Sequence, residues 1–137
     1  MISIVKRFVA LIITNSFFGI IISKIYSGYI PNNGNKIYSN YDVISNKTKA
    51  EIFFNIYEGA EIKFIKKYFK RGYDVIEFGS SIGVVSCLIK SLMDIKNKLV
   101  CVEASPTLFK ILNKNLEINQ FQVNSNVINS AITAKKD

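Results

Sequence analysis

The sequence contains no histidine and only two cysteines. Without an imidazole, a catalytic base in this chain must be a carboxylate, a lysine or a tyrosine, and the commonest metal ligand is missing. The cysteines, Cys87 and Cys101, lack the spacing of a metal site, and both fall among apolar residues. We therefore predict no metal site and two buried thiols in a reducing compartment.

Acidic residues are also scarce. Ten of them stand against 18 lysines and arginines, which gives a net charge of +8. Such a balance suits nucleic acid or an anionic membrane surface. The lysines are scattered, and we find no basic cluster with interleaved aromatic residues, so we predict that nucleic acid is not a partner. The length of 137 residues allows one domain at most, with a real core.

An uncharged, mostly apolar stretch occupies residues 8–23. It is shorter than the roughly 20 apolar residues of a spanning helix, and it lacks the cleavage site of a signal peptide. We predict a hydrophobic helix within residues 1–30 that associates with a membrane, with packing on the domain or on a partner as the alternative. The basic flank at Lys6 and Arg7 favours a cytoplasmic location at the inner face of that membrane.

The middle of the chain is less regular. Residues 29–36 are rich in turn-forming residues and predict a boundary, after which a domain extends over residues 37–137. Residues 37–44 predict an edge strand, and residues 49–69 predict a helix in two pieces divided near Gly59. The second piece has a predicted core stripe of Ile62, Ile65, Tyr68 and Phe69, with its lysines in solvent.

The most informative stretch is residues 74–83. It begins with a strand whose apolar residues are predicted to be buried on both faces: Val75, Ile76 and Phe78. Glu77 suits the carboxyl edge of such a sheet, where ligands bind. Gly79 and Gly83 bound the following turn, since glycine permits positive φ and close approach of a ligand. Residues 82–93 have helical spacing, and the N-terminus of that helix favours an anionic group.

The same pattern returns downstream. Residues 99–102 predict a second buried strand, and Glu103 lies about twenty residues beyond the glycine turn, where an acidic side chain accepts hydrogen bonds from a ribose. Ser105 starts a predicted helix over residues 106–119, and residues 123–132 predict a third strand. Strands that alternate with helices predict an α/β fold with a parallel sheet.

A dinucleotide fingerprint needs the spacing Gly-x-Gly-x-x-Gly, but Ser81 and Val84 occupy its second and third glycine positions. A nicotinamide-dependent oxidoreductase is therefore the weaker interpretation. The pattern acid-x-Gly-x-x-x-Gly, followed by Glu-x-Ser-Pro and an asparagine-rich helix, instead resembles S-adenosylmethionine (SAM)-dependent methyltransferases. More narrowly, the chain from residue 57 onward resembles the FkbM family, through Glu58 and residues 70–83, 102–106 and 112–119.

This resemblance implies a set of residues around SAM. Its methionine end would be held by Glu77, Gly79, Ser80, Ser81 and Gly83, its ribose hydroxyls by Glu103, and its adenosine by Ala104, Ser105, Asn129, Ser130 and Ala131. Glu58 has two interpretations, as a residue that stabilises a helix N-terminus or as one that also lies near the cofactor. No residue can be assigned as the catalytic base.

The resemblance also implies a fold and an activity. We expect a Rossmann-like methyltransferase sheet that is truncated after its third strand, and an unpaired edge of that sheet would be open to self-association. The implied reaction is O-methylation of a sugar hydroxyl on a glycan or glycolipid. The alternative is a membrane-attached remnant or interaction module without catalytic activity.

Overall fold

The computed structural model describes residues 13–133, and the chain divides into two compact units, one ending at Gly59 and the other beginning at Ala60. The first unit contains helix α1 (Ser16–Tyr26), strands β1 (Tyr29–Asn32) and β2 (Asn35–Tyr38), and helix α2 (Asn46–Phe53). The remaining elements are α3 (Gly59–Tyr68), β3 (Val75–Phe78), α4 (Val84–Leu92), β4 (Leu99–Glu103), α5 (Pro106–Ile118) and β5 (Ser125–Asn129). The predicted division into segments 1–30 and 37–137 stays a prediction.

Strands β1 and β2 form an antiparallel hairpin in which Ile30 lies opposite Ile37, and both side chains are fully buried. The turn is the Asn-Gly pair at 33–34, with φ of +47° and +85°, a pair that favours a two-residue type I′ turn. The predicted turn over 29–36 and strand over 37–44 therefore have the wrong bounds. A two-residue turn leaves the residues on either side of it able to pair.

Helix α1 lies within the predicted N-terminal hydrophobic helix, and residues 1–12 of that prediction lie outside the described residues. The side chain of Asn15 caps α1 by accepting the amides of Phe17 and Phe18, at 3.0 and 3.2 Å. Helix α1 has 11 residues. Across residues 13–133, no helix combines the length and the apolarity that crossing a membrane requires. The membrane association stays a prediction.

The second unit is built on a parallel sheet in the order β3-β4-β5. Helices α4 and α5 pack against each other and against β4. The packing of these two helices against each other and against β4 buries Cys87 and Cys101 together with Leu99, Ile111 and Leu112. The predicted α/β class with three parallel strands is confirmed. Strand β5 is shorter than the predicted third strand, because pairing with β4 extends only from Ser125 to Asn129.

On the other face of this sheet, Ile76 is 62% and Phe78 is 65% exposed. The prediction that β3 is buried on both faces is therefore wrong for these two residues. Side chains alternate along a strand, and α4 covers the face that carries Glu77. A continuous apolar run in the sequence does not reveal which of the two faces a helix covers.

Helix α3 buries Ile62, but Tyr68 is 56% exposed and contacts the ring of Phe64 at a centroid distance of 4.9 Å. The prediction that Tyr68 belongs to the core stripe of this helix is wrong. It follows Ile62 by six residues, which places it about 120° away around a helix of 3.6 residues per turn.

Candidate functional site

The chain leaves β3 through a turn that is tied to the neighbouring strand. The amides of Gly79 and Ser80 both donate to the carbonyl of Val102 in β4, at 2.9 and 3.1 Å. Ser80 is buried, and its hydroxyl donates to the carbonyl of Glu77 at 3.3 Å. The side chain of Ser80 therefore helps to shape the turn. Its predicted contact with the methionine end of SAM stays a prediction.

The two glycines of the turn have different surroundings. Gly79 and Gly83 both have positive φ, +72° and +83°. A Cβ at Gly83 would lie 2.5 Å from Cδ1 of Leu112 in α5, whereas a Cβ at Gly79 would meet no atom within 4 Å. Gly83 is therefore required for close packing of the turn on α5, and Gly79 borders open space. Between them, Ser81 also has a positive φ, +51°.

A buried asparagine in α5 supports the turn from behind. Asn115 is fully buried and donates from Nδ2 to the carbonyl of Ile82 at 2.8 Å. The asparagine-rich helix contributes to the family resemblance, but the resemblance implies no role for Asn115. The available signal was a polar residue within an apolar stripe, because Ile111, Leu112 and Leu116 surround this position on the helix.

The carboxylate of Glu103, at the end of β4, joins two loops. Its Oε2 accepts the amide of Ser81 and its Oε1 accepts the amide of Ser105, each at 2.8 Å. The residue is only 7% exposed. Because each carboxylate oxygen has two lone pairs, an acceptor position remains on each oxygen. The group can therefore accept further hydrogen bonds from a pair of ligand hydroxyls.

The loop after β5 attaches to the same residue. Nδ2 of Asn129 donates to the carbonyls of Glu103 and Ala104, at 2.8 and 3.1 Å. The amide of Ser130 donates to the Glu103 carbonyl at 3.2 Å. The structure thus brings together candidate residues from three separate stretches of sequence, each at the carboxyl end of a different strand.

These loops border an open pocket of about 380 Å³. Its lining residues are Phe78, Gly79, Val102, Glu103, Ala104, Ser130, Ala131 and Ile132. The apolar members Phe78, Val102 and Ile132 are not among the predicted site residues, although each directly precedes or follows one. Apolar walls beside a single carboxylate suit a flat apolar ring that is joined to a hydroxylated sugar.

Glu77 is not among the residues that line this pocket. Its carboxylate is placed between β3 and α4, where it accepts a hydrogen bond from the hydroxyl of Ser86 and contacts Sγ of Cys101 at 3.7 Å. Burial raises the pKa of Glu77 above its usual value, and the hydrogen bond from Ser86 opposes that shift. The structure places this carboxylate behind the turn, so it can hold α4 and β4 in position. Its predicted contact with SAM stays a prediction.

Two further candidates have local roles. Ser105 caps α5, since its Oγ accepts the amide of Leu108 at 3.4 Å. Glu58 belongs to the first unit and has φ of +50° between α2 and α3. Its predicted proximity to the cofactor stays a prediction. Among the residues that the structure describes, no group of three or more cysteine, aspartate or glutamate residues could hold a metal ion.

No protein-family model matches this chain, and no curated protein matches it. Solved structures do resemble it. A protein from Pyrococcus horikoshii, provisionally described as a transferase, is 25% identical with a TM-score of 0.54, over 74% of this chain and 35% of that chain. Trm5 of Methanocaldococcus jannaschii, solved with adenosine, is 19% identical with a TM-score of 0.52, over 73% and 28%. Trm5 solved with tRNALeu is 17% identical with a TM-score of 0.50, over 78% and 29%.

These likenesses show the fold. The chain has a mixed α/β fold of the kind found in the tRNA methyltransferase Trm5, and the likeness spans about a third of the length of these proteins. The predicted methyltransferase fold is confirmed in this general form, and the FkbM family is not shown. The prediction that nucleic acid is not a partner is wrong as an exclusion, because Trm5, which shares this fold, is solved with tRNALeu. A scattered distribution of lysines does not exclude nucleic acid from such a fold.

Proposed function

We propose that the pocket binds SAM and that the chain supplies the cofactor-binding portion of a methyltransferase. The observation that carries this proposal is Glu103, which lines the pocket and whose carboxylate keeps an acceptor position on each oxygen. A neighbouring pair of ribose hydroxyls fits two such acceptors. The apolar walls at Phe78 and Ile132 fit the faces of an adenine ring.

The remaining candidate residues have different proposed roles in binding the ligand. Ala104, Ser130 and Ala131 line the pocket and would flank the adenosine. The open space in front of Gly79 allows a ligand to approach the backbone of the turn closely. Glu77 would act as a positioning residue through α4. When bound, SAM supplies a sulfonium methyl group that an incoming nucleophile can accept, and the chain's contribution is to orient that group and exclude water.

The test is calorimetric titration of SAM into the protein and into the Glu103→Gln variant. The amide keeps the size of the side chain but loses the charge and one acceptor, so we expect affinity to fall about 10- to 100-fold. Glu117→Gln is the matched control, because Glu117 is exposed on α5 and pairs with Lys114.

Urea denaturation of both variants separates a binding defect from a folding defect. NAD serves as the comparison ligand, and we expect no binding of it. A folded protein that does not bind SAM, or a Glu103→Gln variant that binds it with unchanged affinity, would contradict the proposal.

The proposal also concerns the substrate that accepts the methyl group. O-methylation of a sugar hydroxyl rests on the FkbM resemblance. Nucleic acid is the second candidate, favoured by the net charge of +8 and by the likeness to Trm5. Incubation with methyl-labelled SAM and either total RNA or a glycan fraction separates them by where the label appears. Label in neither fraction, from a protein that binds SAM, would argue against methyl transfer by this chain.

A further inference from the structure

A second functional surface lies on helix α3, outside the pocket. From Glu61 to Tyr73 the sequence has five basic residues and one acidic residue. We define the α3 surface by three exposed cations and two exposed rings: Lys63, Phe64, Lys67, Tyr68 and Lys70. The sequence predicts these lysines on a solvated helix face and Tyr68 in the core. Because Tyr68 is in fact exposed, cations and exposed rings are interleaved here.

The α3 surface consists of two adjacent stripes. Lys63 and Lys67 are four residues apart and lie on one face of the helix, and Lys70 continues this stripe beyond the last helical turn. Phe64 and Tyr68 form the second stripe, about 100° further around the helix. Their rings meet at 4.9 Å with an angle of 46°, and Nζ of Lys67 lies 5.0 Å from the centroid of the Tyr68 ring. A single ligand can therefore contact the cations and the aromatic rings at the same time.

An apolar groove continues from the aromatic stripe. It has a volume of about 310 Å³ and is lined by Phe64, Ile65, Tyr68, Phe69, Lys70, Tyr73 and Val75. Tyr73 is 64% exposed, so it presents a third ring to solvent. Aromatic rings beside a row of cations are the arrangement by which proteins bind single strands, since bases stack on the rings while phosphates contact the cations.

We propose that the α3 surface binds single-stranded nucleic acid. Lys63, Lys67 and Lys70 contact successive phosphates, and Phe64 and Tyr68 provide stacking faces for bases. A membrane-binding helix needs a broad apolar face turned outward. Here Ile62 is buried and Ile65 is half-buried, and the outward rings lie directly beside the cations. That arrangement suits a nucleic-acid strand, in which phosphates alternate with planar bases, better than it suits a lipid surface.

The proposal is tested by fluorescence anisotropy with a short labelled single-stranded RNA, measured over a range of KCl concentrations. Lys63→Gln/Lys67→Gln removes two phosphate contacts, so the slope of log affinity against log salt should become shallower by about 1.4. The control is Lys96→Gln/Lys110→Gln, which removes the same charge from exposed positions elsewhere in the second unit.

The stacking part of the proposal has its own test. Phe64→Ala should lower RNA affinity about 5- to 100-fold. Phe17→Ala is the control, because Phe17 and Phe64 are equally exposed at 65%. Circular dichroism melts check that each variant remains folded.

The outcomes are distinct. Loss of RNA affinity in the α3 variants with unchanged binding by both controls supports the proposal. Equal losses in the lysine control would mean that general charge attracts the RNA, which overturns it, as would an unchanged Phe64→Ala variant. Binding to phosphatidylserine vesicles that these variants abolish, without RNA binding, would assign the surface to a membrane instead. Because the surface does not include the pocket residues, SAM affinity should stay the same in Lys63→Gln/Lys67→Gln, so the two proposals fail independently.

Discussion

The two glycines of the turn after β3 should respond differently to the same substitution. Gly79→Ala and Gly83→Ala both place a Cβ on a residue with positive φ, +72° and +83°. This strain costs about 1 kcal/mol at each position. At Gly83 the new Cβ also lies 2.5 Å from Cδ1 of Leu112, which is fully buried. Forcing an extra methyl group into such a contact costs about 1–3 kcal/mol more.

We therefore expect Gly83→Ala to lower the free energy of unfolding by about 2–4 kcal/mol and Gly79→Ala by about 1 kcal/mol. Urea denaturation at equilibrium measures both values. For ligand binding, Gly79→Ala should have a larger effect than Gly83→Ala. Gly79 lines the pocket, so its Cβ would occupy space that the proposed ligand needs, and SAM affinity should fall more for Gly79→Ala than the loss of stability accounts for.

A double-mutant cycle isolates the contact itself. Leu112→Ala removes the clashing methyl groups, so its combination with Gly83→Ala should be more stable than the sum of the single effects by about 1–3 kcal/mol. Purely additive effects would mean that the turn moves away from α5 without cost. Equal losses of stability in the two glycine variants would refute the assignment of packing to Gly83 and of open space to Gly79.

Three other predictions follow from buried polar groups. Because burial raises the pKa of Glu77, the folded protein keeps that proton to higher pH than the unfolded chain does, so stability should decline as pH rises above the usual value of 4.5. Glu77→Gln should flatten this decline in urea denaturation, and an unchanged pH profile would contradict it. Cys87 and Cys101 should resist iodoacetamide at neutral pH until the protein unfolds, because burial raises the pKa of both thiols, that of Cys101 to about 12. Alkylation that precedes unfolding would be inconsistent with this burial. Lys90→Met should cost about 2 kcal/mol in urea denaturation, since Nζ donates to two loop carbonyls at 3.1 and 3.4 Å, whereas Lys96→Met at an exposed position should cost little.

The second unit was largely predictable because its signals are local. The turn at residues 79–83 and the Ser-Pro start of α5 each fix a boundary through the chemistry of a few adjacent residues. The β1–β2 hairpin was missed even though its Asn-Gly turn is equally local, because the surrounding asparagines and proline favoured a longer turn.

Tertiary contacts were harder to predict from the sequence. Glu77 lies one residue before the end of β3 and pairs with Cys101, whereas Glu103 is the last residue of β4 and pairs with Asn129. The carboxylate of Glu77 lies against α4, and Glu103 lines the pocket. The sequence alone cannot separate these roles, since each residue is a carboxylate near the end of a short apolar strand. Asn115 acts on Ile82 across 33 residues of sequence, a distance at which no pattern of neighbours indicates contact.

Because three loops attach to Glu103, the pocket depends on all three parallel strands that the structure describes. The partners of this residue lie before it at Ser81 and after it at Ser105, Asn129 and Ser130. No single βα unit contains all of them, so the pocket can form only when β5 has paired with β4. Ligand binding would then act on the folding equilibrium as one cooperative event, stabilising all three strands together. A ligand for this site would therefore also report that β3, β4 and β5 have paired.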